Sequence, residues 1–92
     1  MPIQFSQHAL EKAHRRGINI SHIYQTLKTP DELYEDIEHQ TTIAIKKIND
    51  KSIILAYRKK AELVKVITLY YTTKLNKLIK SKTERHAWRK IK

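Results

Sequence analysis

Two short stretches of the sequence combine histidine with closely spaced cations. His8 precedes Lys12 by four residues, and His86 lies close to Arg85 and Arg89 in the stretch ERHAWRK. Histidine can donate or accept a proton near neutral pH because its unperturbed pKa is about 6.5, and Lys or Arg can stabilise the charge of a phosphate. RNA cleavage without a metal needs these same groups: a base for the ribose 2′-hydroxyl, a cation for the phosphorane and an acid for the 5′-oxygen.

Further polar candidates lie at the ends of predicted strands. Arg58 ends one strand and shares a face with apolar residues, so its guanidinium must leave the core or meet a partner. Tyr70, Tyr71 and Lys74 close the last strand. One of the two tyrosines is expected to be buried, whereas the other could stack on a base, a contact worth about 1 to 3 kcal/mol in single-strand binders.

Each candidate also has a purely structural alternative. His8 could cap its helix or pack against it, and a histidine in a basic tail, such as His86, could simply be solvated. His14 is expected to be a core or interface histidine, because it falls on the apolar face of the first predicted helix. His22 and His39 lie at positions that look exposed, and neither is assigned a role.

The composition limits the chain to one small domain, predicted over residues 1–92. Of the 92 residues 40% are apolar and none is cysteine, which excludes disulfides and thiolate metal sites. The histidines and carboxylates lack the spacing of a metal site, so neither a metal nor another cofactor is expected. No apolar run approaches the roughly 18 residues of a membrane span, and the N-terminus lacks the features of a signal peptide. The prediction is a cytoplasmic protein without a membrane partner.

Positive charge is concentrated in the second half of the chain. The formal net charge is +10; residues 1–39 carry 4 basic and 6 acidic residues, whereas residues 40–92 carry 15 basic and 3 acidic residues. Such an imbalance attracts polyanions, of which nucleic acid is the commonest. Solubility alone is the alternative explanation, but lysines that serve solubility usually come with matching acids.

Local patterns predict two helices followed by strands. Ser6 is a suitable N-cap for a helix that ends near Arg16, and a second helix is expected to begin near Asn19 or Ser21 and to end before Pro30. Strands are predicted over residues 31–38, 41–48, 52–59 and 63–71, and a basic helix or tail over residues 75–92. The predicted fold class is α+β, with two N-terminal helices packed on a four-stranded, mostly antiparallel sheet and with a basic C-terminal helix or tail.

Three motifs follow one another between residues 3 and 74. They consist of Phe5, His8, Ala9, Lys12, Arg16, Gly17 and Ile18; of Leu27, Pro30, Asp31 and Glu32; and of Tyr70, Thr72, Thr73 and Lys74. This order and spacing resemble a family of small prokaryotic proteins, a domain of unknown function related to the BrnT and RelE-type toxins. The resemblance implies a RelE-like α+β domain and membership of a broad group of metal-independent ribonucleases and toxins.

The charge and the resemblance together lead to one hypothesis and two rivals. The leading hypothesis is a toxin-like, metal-independent endoribonuclease of a toxin–antitoxin type system, which acts on mRNA or structured RNA. The first alternative is a non-catalytic basic module that binds nucleic acid or blocks a protein target, and the second is a regulatory partner of an acidic protein. The expected partners are RNA, including mRNA on the ribosome, and an acidic antitoxin-like protein.

The leading hypothesis assigns roles to eleven residues. The predicted catalytic residues are His8, Arg58, Lys74 and His86. The predicted nucleic-acid contacts are Lys12, Arg16, Lys46, Tyr70, Tyr71, Arg85 and Arg89. The basic C-terminal segment could lie along a phosphate backbone, receive an acidic partner or form a solvated helix face.

Overall fold

Three helices and six strands build an α+β fold in the part of the chain that the computed structural model describes, residues 2–92. In chain order the elements are β1 (Ile3–Phe5), α1 (Gln7–Arg15), α2 (Ile20–Lys28), β2 (Glu32–Asp36), β3 (Thr41–Ile48), β4 (Lys51–Lys60), β5 (Leu63–Thr72), α3 (Leu75–Glu84) and β6 (Trp88–Lys90).

The strands form one curled, mixed sheet in the order β1-β5-β4-β3-β2-β6. β1 pairs in parallel with β5, and all other neighbouring strands are antiparallel. The predicted architecture, two N-terminal helices on a four-stranded sheet, is therefore wrong. The two additional strands, β1 and β6, have three residues each. Such short segments show no alternation of apolar and polar residues, and their partners lie far away in the sequence.

Helices α1 and α2 each begin at a residue whose side chain caps the helix. The Ser6 hydroxyl accepts a hydrogen bond from the Ala9 N–H at the start of α1, and the Asn19 side chain accepts one from the Ser21 N–H at the start of α2. Gly17 follows α1 in a left-handed conformation with φ of 59°. The helices have nine or ten residues, and none within residues 2–92 is long and apolar enough to cross a membrane.

One face of the sheet is covered by α1 and α2 and holds an aliphatic core, here called the aliphatic face. Ile53 and Leu55 of β4 and Leu69 of β5 are fully buried in it. Ala9 of α1 and Ile23 of α2 pack into the same cluster. This face leaves little of its apolar surface in contact with water.

The opposite face of the sheet packs against α3 and β6 and is here called the aromatic face. Ile43, Ile54 and Tyr34 are buried on this side, and the ring centroids of Tyr34 and Trp88 lie 5.5 Å apart. No residue of α3 is fully buried, and Leu78 is one of its partly buried contacts with the cluster. Because α3 covers this face incompletely, part of it remains open.

A β-bulge bends β5 beside the open part of the aromatic face. Thr68 is paired with Ala56, but the next residue of β4, Tyr57, is paired with Val66, so Ile67 has no cross-strand partner. A bulge re-aims the side chains around it and bends its strand. Ile67 and Thr68 consequently line the same cleft although they are adjacent in sequence.

Candidate active site

A cleft of about 270 Å³ opens on the aromatic face of the sheet. Strands β2 to β5, the turn between β2 and β3, helix α3 and strand β6 all contribute to it. Its lining residues are Asp36, His39, Thr41, Ile43, Ile54, Ala56, Arg58, Ile67, Thr68, Tyr70, Lys82 and Trp88. The cleft therefore combines an apolar floor with an acid, a histidine and two cations, the mixture that is typical of ligand sites.

Three polar residues of the cleft are joined by hydrogen bonds. The His39 ring contacts Asp36 through Nδ1 and Oδ2 at 3.0 Å, and the His39 backbone N–H donates to Asp36 Oδ1 at 3.0 Å. Arg58 donates from Nη2 to the backbone oxygen of His39 at 3.0 Å. These bonds place the guanidinium of Arg58 against the backbone of His39, in the same cleft as the imidazole.

Asp36 is the buried member of this group. Burial by itself would raise the pKa of its carboxyl, but the His39 backbone N–H, the His39 ring and the Trp88 side chain favour the ionised form more strongly and lower that pKa. The Asp36 side chain is 11% exposed, whereas that of His39 is 71% exposed. A buried carboxylate therefore anchors an imidazole that remains open to solvent and to a ligand.

The contact with Asp36 also selects the tautomer of His39. A carboxylate oxygen can only accept a hydrogen bond, so Nδ1 of the neutral ring carries the hydrogen and Nε2 carries the lone pair. Within residues 2–92 the His39 ring makes its hydrogen bond through Nδ1, and Nε2 makes none. An imidazole held at one nitrogen and free at the other is the arrangement of a general base.

Two further polar groups face the cleft from α3 and β5. Lys82 extends from α3, and its Nζ lies 5.8 Å from the centroid of the Trp88 ring. Burial raises the pKa of the Tyr70 hydroxyl, and the opposing effect of Arg16 is smaller. Tyr70 consequently keeps its proton at neutral pH and can donate a hydrogen bond into the cleft.

Thr41 contributes a buried polar atom to the same wall. It is 5% exposed, and its Oγ1 has no hydrogen-bond partner in the described part of the chain. Thr41 is the cross-strand partner of Asp36 at the beginning of β3. Most buried hydroxyls are hydrogen-bonded, so this unpaired group marks a place where the fold is not optimised for stability.

A second basic surface, here called the edge patch, lies where α1 runs beside the open edge of β5. It consists of Lys12, Arg16, Tyr70 and Tyr71. Lys12 donates from Nζ to Thr68 Oγ1 at 3.1 Å, and Arg16 donates from Nη1 to the Leu69 backbone oxygen at 3.3 Å. The structure therefore brings together four of the predicted nucleic-acid contacts, from two distant parts of the sequence.

The four predicted catalytic residues are not brought together. Arg58 lines the cleft, and His8 is exposed on α1, one helical turn before Lys12. Lys74 and His86 are exposed at the two ends of α3, which has ten residues and is about 15 Å long. A separation of that size prevents Lys74 and His86 from acting on one phosphate in this conformation.

Three predicted nucleic-acid contacts also lie away from the cleft. Lys46 donates to the Thr29 backbone oxygen at 2.9 Å, and Arg89 forms an ion pair with Glu35 on neighbouring strands. Arg85 is exposed at the C-terminal end of α3. The first two cations make contacts within the fold, and Arg85 remains on the surface.

The sequence patterns missed the residue that is best placed to act as a base. His39 lies in the turn between β2 and β3, where neither helical nor strand periodicity applies, and it follows Asp36 by three residues. That short Asp–His spacing, in an otherwise acidic segment, was the available signal. Lys82 was not singled out, because it is one of many cations in the basic C-terminal segment. His14, which was expected in a core or interface, is exposed.

The described residues offer no metal site. Within residues 2–92, no group of three or more His, Asp or Glu side chains lies close enough together to hold a metal ion. The cleft has one carboxylate and one histidine, and these two side chains are hydrogen-bonded to each other.

Comparison with family models identifies the chain. The model described as a domain of unknown function, DUF4258, matches residues 5–71. The chain belongs to the DUF4258 family. The matched part of this DUF4258 domain includes Asp36, His39 and Arg58, whereas Lys82 and Trp88 lie beyond it. The match provides no link to the BrnT and RelE-type toxins. No curated protein and no solved structure matches the chain.

Proposed function

We propose that this DUF4258 domain cleaves RNA without a metal, by attack of a ribose 2′-oxygen on the adjacent phosphate. One observation carries the proposal: hydrogen bonds join Asp36 to His39 and the His39 backbone to Arg58, so one cleft holds an imidazole that can act as a base and a cation that can bind a phosphate. Such a pair is what transesterification of RNA requires, because the nucleophile must lose a proton while charge accumulates on the phosphate.

The first half of the reaction uses His39. Its Nε2 takes the proton of the 2′-hydroxyl, and the 2′-oxygen forms a bond to phosphorus. Asp36 keeps the ring in the required tautomer and stabilises the imidazolium that results. The guanidinium of Arg58 binds the non-bridging oxygens, where negative charge develops.

The second half of the reaction expels the 5′-oxygen. The bond between phosphorus and this oxygen breaks, which leaves a 2′,3′-cyclic phosphate on one fragment and a 5′-hydroxyl on the other. Tyr70 lines the cleft, is protonated at neutral pH and donates the proton that the leaving oxygen needs. Lys82 adds a second positive charge to the cleft.

The proposal includes a toxin-like role in a toxin–antitoxin type system, with mRNA as substrate and the cytoplasm as its place of action. Its support is the positive charge of residues 40–92. An acidic antitoxin-like protein that covered the cleft would neutralise Arg58 and Lys82 and block the access of RNA.

A non-catalytic nucleic-acid-binding module is the second candidate, and the edge patch favours it. Lys12, Arg16 and the two tyrosines beside them can bind phosphates and bases without any chemistry. This candidate predicts binding with a steep salt dependence and no cleaved product.

The test is cleavage of end-labelled single-stranded RNA and of matched DNA by the purified protein in EDTA. RNA should yield fragments with cyclic or 3′-phosphate ends, and DNA should stay intact because it lacks the 2′-hydroxyl. His39→Ala and Arg58→Ala should each lower the cleavage rate by about 10² to 10⁴ fold, the usual contribution of a positioned acid–base or charge-stabilising group. Both variants should retain a cooperative thermal transition.

The histidines elsewhere in the chain supply matched controls. His14→Ala should leave the rate unchanged, because His14 is exposed on α1 and does not line the cleft. Loss of cleavage in His8→Ala or His86→Ala, with full activity in His39→Ala, would overturn the cleft mechanism in favour of the residues predicted from the sequence. Binding of RNA without cleavage by the wild-type protein would select the second candidate.

A further inference from the structure

A third basic surface, here called the lysine patch, lies at the end of the sheet where β3 turns into β4 and β5 leads into α3. It consists of Lys47, Lys51, Lys74 and Lys77. Asp50 is the only carboxylate in this depression, and none of the four lysines forms an ion pair within residues 2–92. Neighbouring like charges repel one another, and an anion bound between them would relieve that repulsion.

The lysine patch is continuous with the edge patch. Lys51 Nζ lies 4.0 Å from the centroid of the Tyr71 ring, and Tyr71 belongs to the edge patch. A cation over the face of a tyrosine is favourable, and it places the charge of Lys51 beside an aromatic surface that is half-buried. Among residues 2–92, Asp50 is the one acidic residue in the lining of these two depressions.

The edge patch is in turn continuous with the cleft. Tyr70 lines both, and the hydrogen bond from Lys12 to Thr68 ties a cation of the edge patch to a residue of the cleft wall. Three depressions that differ in shape thus follow one another around the open edge of β5, and each contains at least two cations.

We infer that the cleft, the edge patch and the lysine patch form one track for a single strand of RNA, with the lysine patch holding backbone phosphates several nucleotides from the bond that is cut. This inference rests on the proposed function, because the cleft supplies the reacting end of the track. It adds a distant backbone site and a substrate class, single-stranded RNA longer than a dinucleotide.

A single strand fits the track better than a duplex or an acidic protein. Half-buried tyrosines lie between the lysines and the cleft, and stacking on them requires unpaired bases. A duplex keeps its bases paired, and an acidic protein would gain little from an aromatic surface interleaved with cations.

The decisive variant removes three charges of the lysine patch, as Lys47→Gln, Lys51→Gln and Lys77→Gln combined. Its ligand is a 2′-O-methyl RNA of about 12 nucleotides, a length within the range of single-strand sites. That RNA keeps every phosphate but cannot be cleaved through its 2′-oxygen. Fluorescence anisotropy should show about 100-fold weaker binding at about 0.1 M salt and a salt slope reduced by about 2, since each phosphate contact with a single strand contributes about 0.7 to the slope.

A charge-matched variant controls for the loss of overall positive charge. Lys28→Gln, Lys59→Gln and Lys92→Gln remove the same charge from exposed positions that line none of the three surfaces. This control should bind the long RNA about as tightly as the wild-type protein does. A 2′-O-methyl dinucleotide should bind the wild-type protein and the patch variant equally, because it is too short to reach the lysine patch. Thermal melts establish that both triple variants are folded.

The outcomes separate this inference from the proposed function. Selective weakening of long-RNA binding in the patch variant supports the track, even if the wild-type protein cleaves no RNA and the proposed function fails. Equal weakening in both triple variants, or unchanged binding in the patch variant, overturns the track, even if cleavage is observed. Loss of polyglutamate binding in the patch variant, with unchanged RNA binding, also overturns it and identifies the patch as a surface for an acidic protein.

Discussion

The two faces of the sheet are built from similar strands but are covered differently. On the aliphatic face, α1 and α2 bury a cluster of alanine, valine, leucine and isoleucine side chains, among them Leu55 and Leu69 with no exposed surface. On the aromatic face, α3 contributes no fully buried residue, and a cleft remains between it and the sheet. Tyr34 and Trp88 pack among the aliphatic side chains of this face, and a lysine lies near each of the two rings.

This difference shows which face of the sheet stabilises the fold and which face has room for a ligand. Aliphatic burial contributes roughly 25 cal/mol for each Å² removed from water, so a face that is fully covered contributes most to folding. A cleft with an ionised carboxylate, two cations and an unpaired hydroxyl stabilises the fold less, because buried polar groups cost free energy unless they are paired. Substitutions on the two faces of the sheet test this contrast in stability.

The largest effect is expected for truncation of a core side chain on the aliphatic face. Leu55→Ala should lower the free energy of unfolding by about 2 to 5 kcal/mol, because it removes a fully buried side chain and leaves a cavity. Leu78→Ala on α3 is the matched change on the aromatic face. It should cost about 1 to 2 kcal/mol, since Leu78 is only partly buried. Urea denaturation of both variants measures the difference, and equal losses would contradict the contrast between the faces.

A smaller effect, and one that depends on pH, is expected for Asp36→Asn. The pKa of Asp36 is lowered in the folded protein, so ionisation of this carboxyl stabilises the fold at any pH above its unfolded value and ceases to do so as the pH falls through the lowered value. At neutral pH the variant should lose about 1 to 3 kcal/mol, the usual contribution of hydrogen bonds to a charged group.

Chemical denaturation at several pH values checks this prediction. The difference between the wild-type protein and Asp36→Asn should shrink as the solution is made acidic enough to protonate Asp36 in the folded state. A difference that stayed constant with pH would show that the loss comes from packing rather than from the carboxylate. Leu55→Ala serves as the control, because its cost involves no titrating group.

The smallest effect should be a gain in stability. Thr41→Val replaces a buried hydroxyl that has no hydrogen-bond partner with a methyl group of similar size. Removal of an unsatisfied polar group should raise the free energy of unfolding by about 1 kcal/mol, and the midpoint of thermal unfolding should rise with it. A lower midpoint would mean that the hydroxyl is hydrogen-bonded in solution, in which case this wall of the cleft is as well satisfied as the rest of the core.

Local signals in the sequence predicted individual helices and strands, whereas the pairing of distant strands became visible only in the structure. The caps at Ser6 and Asn19 located both N-terminal helices, and the β-branched residues of β3 and β4 located a hairpin. β1 and β6 were not predicted, because a strand of three residues is too short to show an alternation of apolar and polar side chains. β1 also pairs in parallel with β5, a strand that lies far away in the sequence.

The sequence predicted only part of the candidate site, for a related reason. Arg58 could be singled out, because a charged residue on an apolar strand face needs an explanation. His39 could not, because a turn residue shows its partner only when the chain is folded and Asp36 is seen beside it. Lys74 and His86 flank one helix, but their residue types do not show that they lie beyond its opposite ends until the bounds of α3 are known.

The order of the elements along the chain has a consequence for biosynthesis. A ribosome releases residues 2–72 first, and these contain five strands and both helices of the aliphatic face. The nascent protein can thus bury its aliphatic core while Lys82 and Trp88 are still missing from the cleft. The cleft is therefore completed last, when α3 and β6 add their side of it to the strands that already carry Asp36 and Arg58.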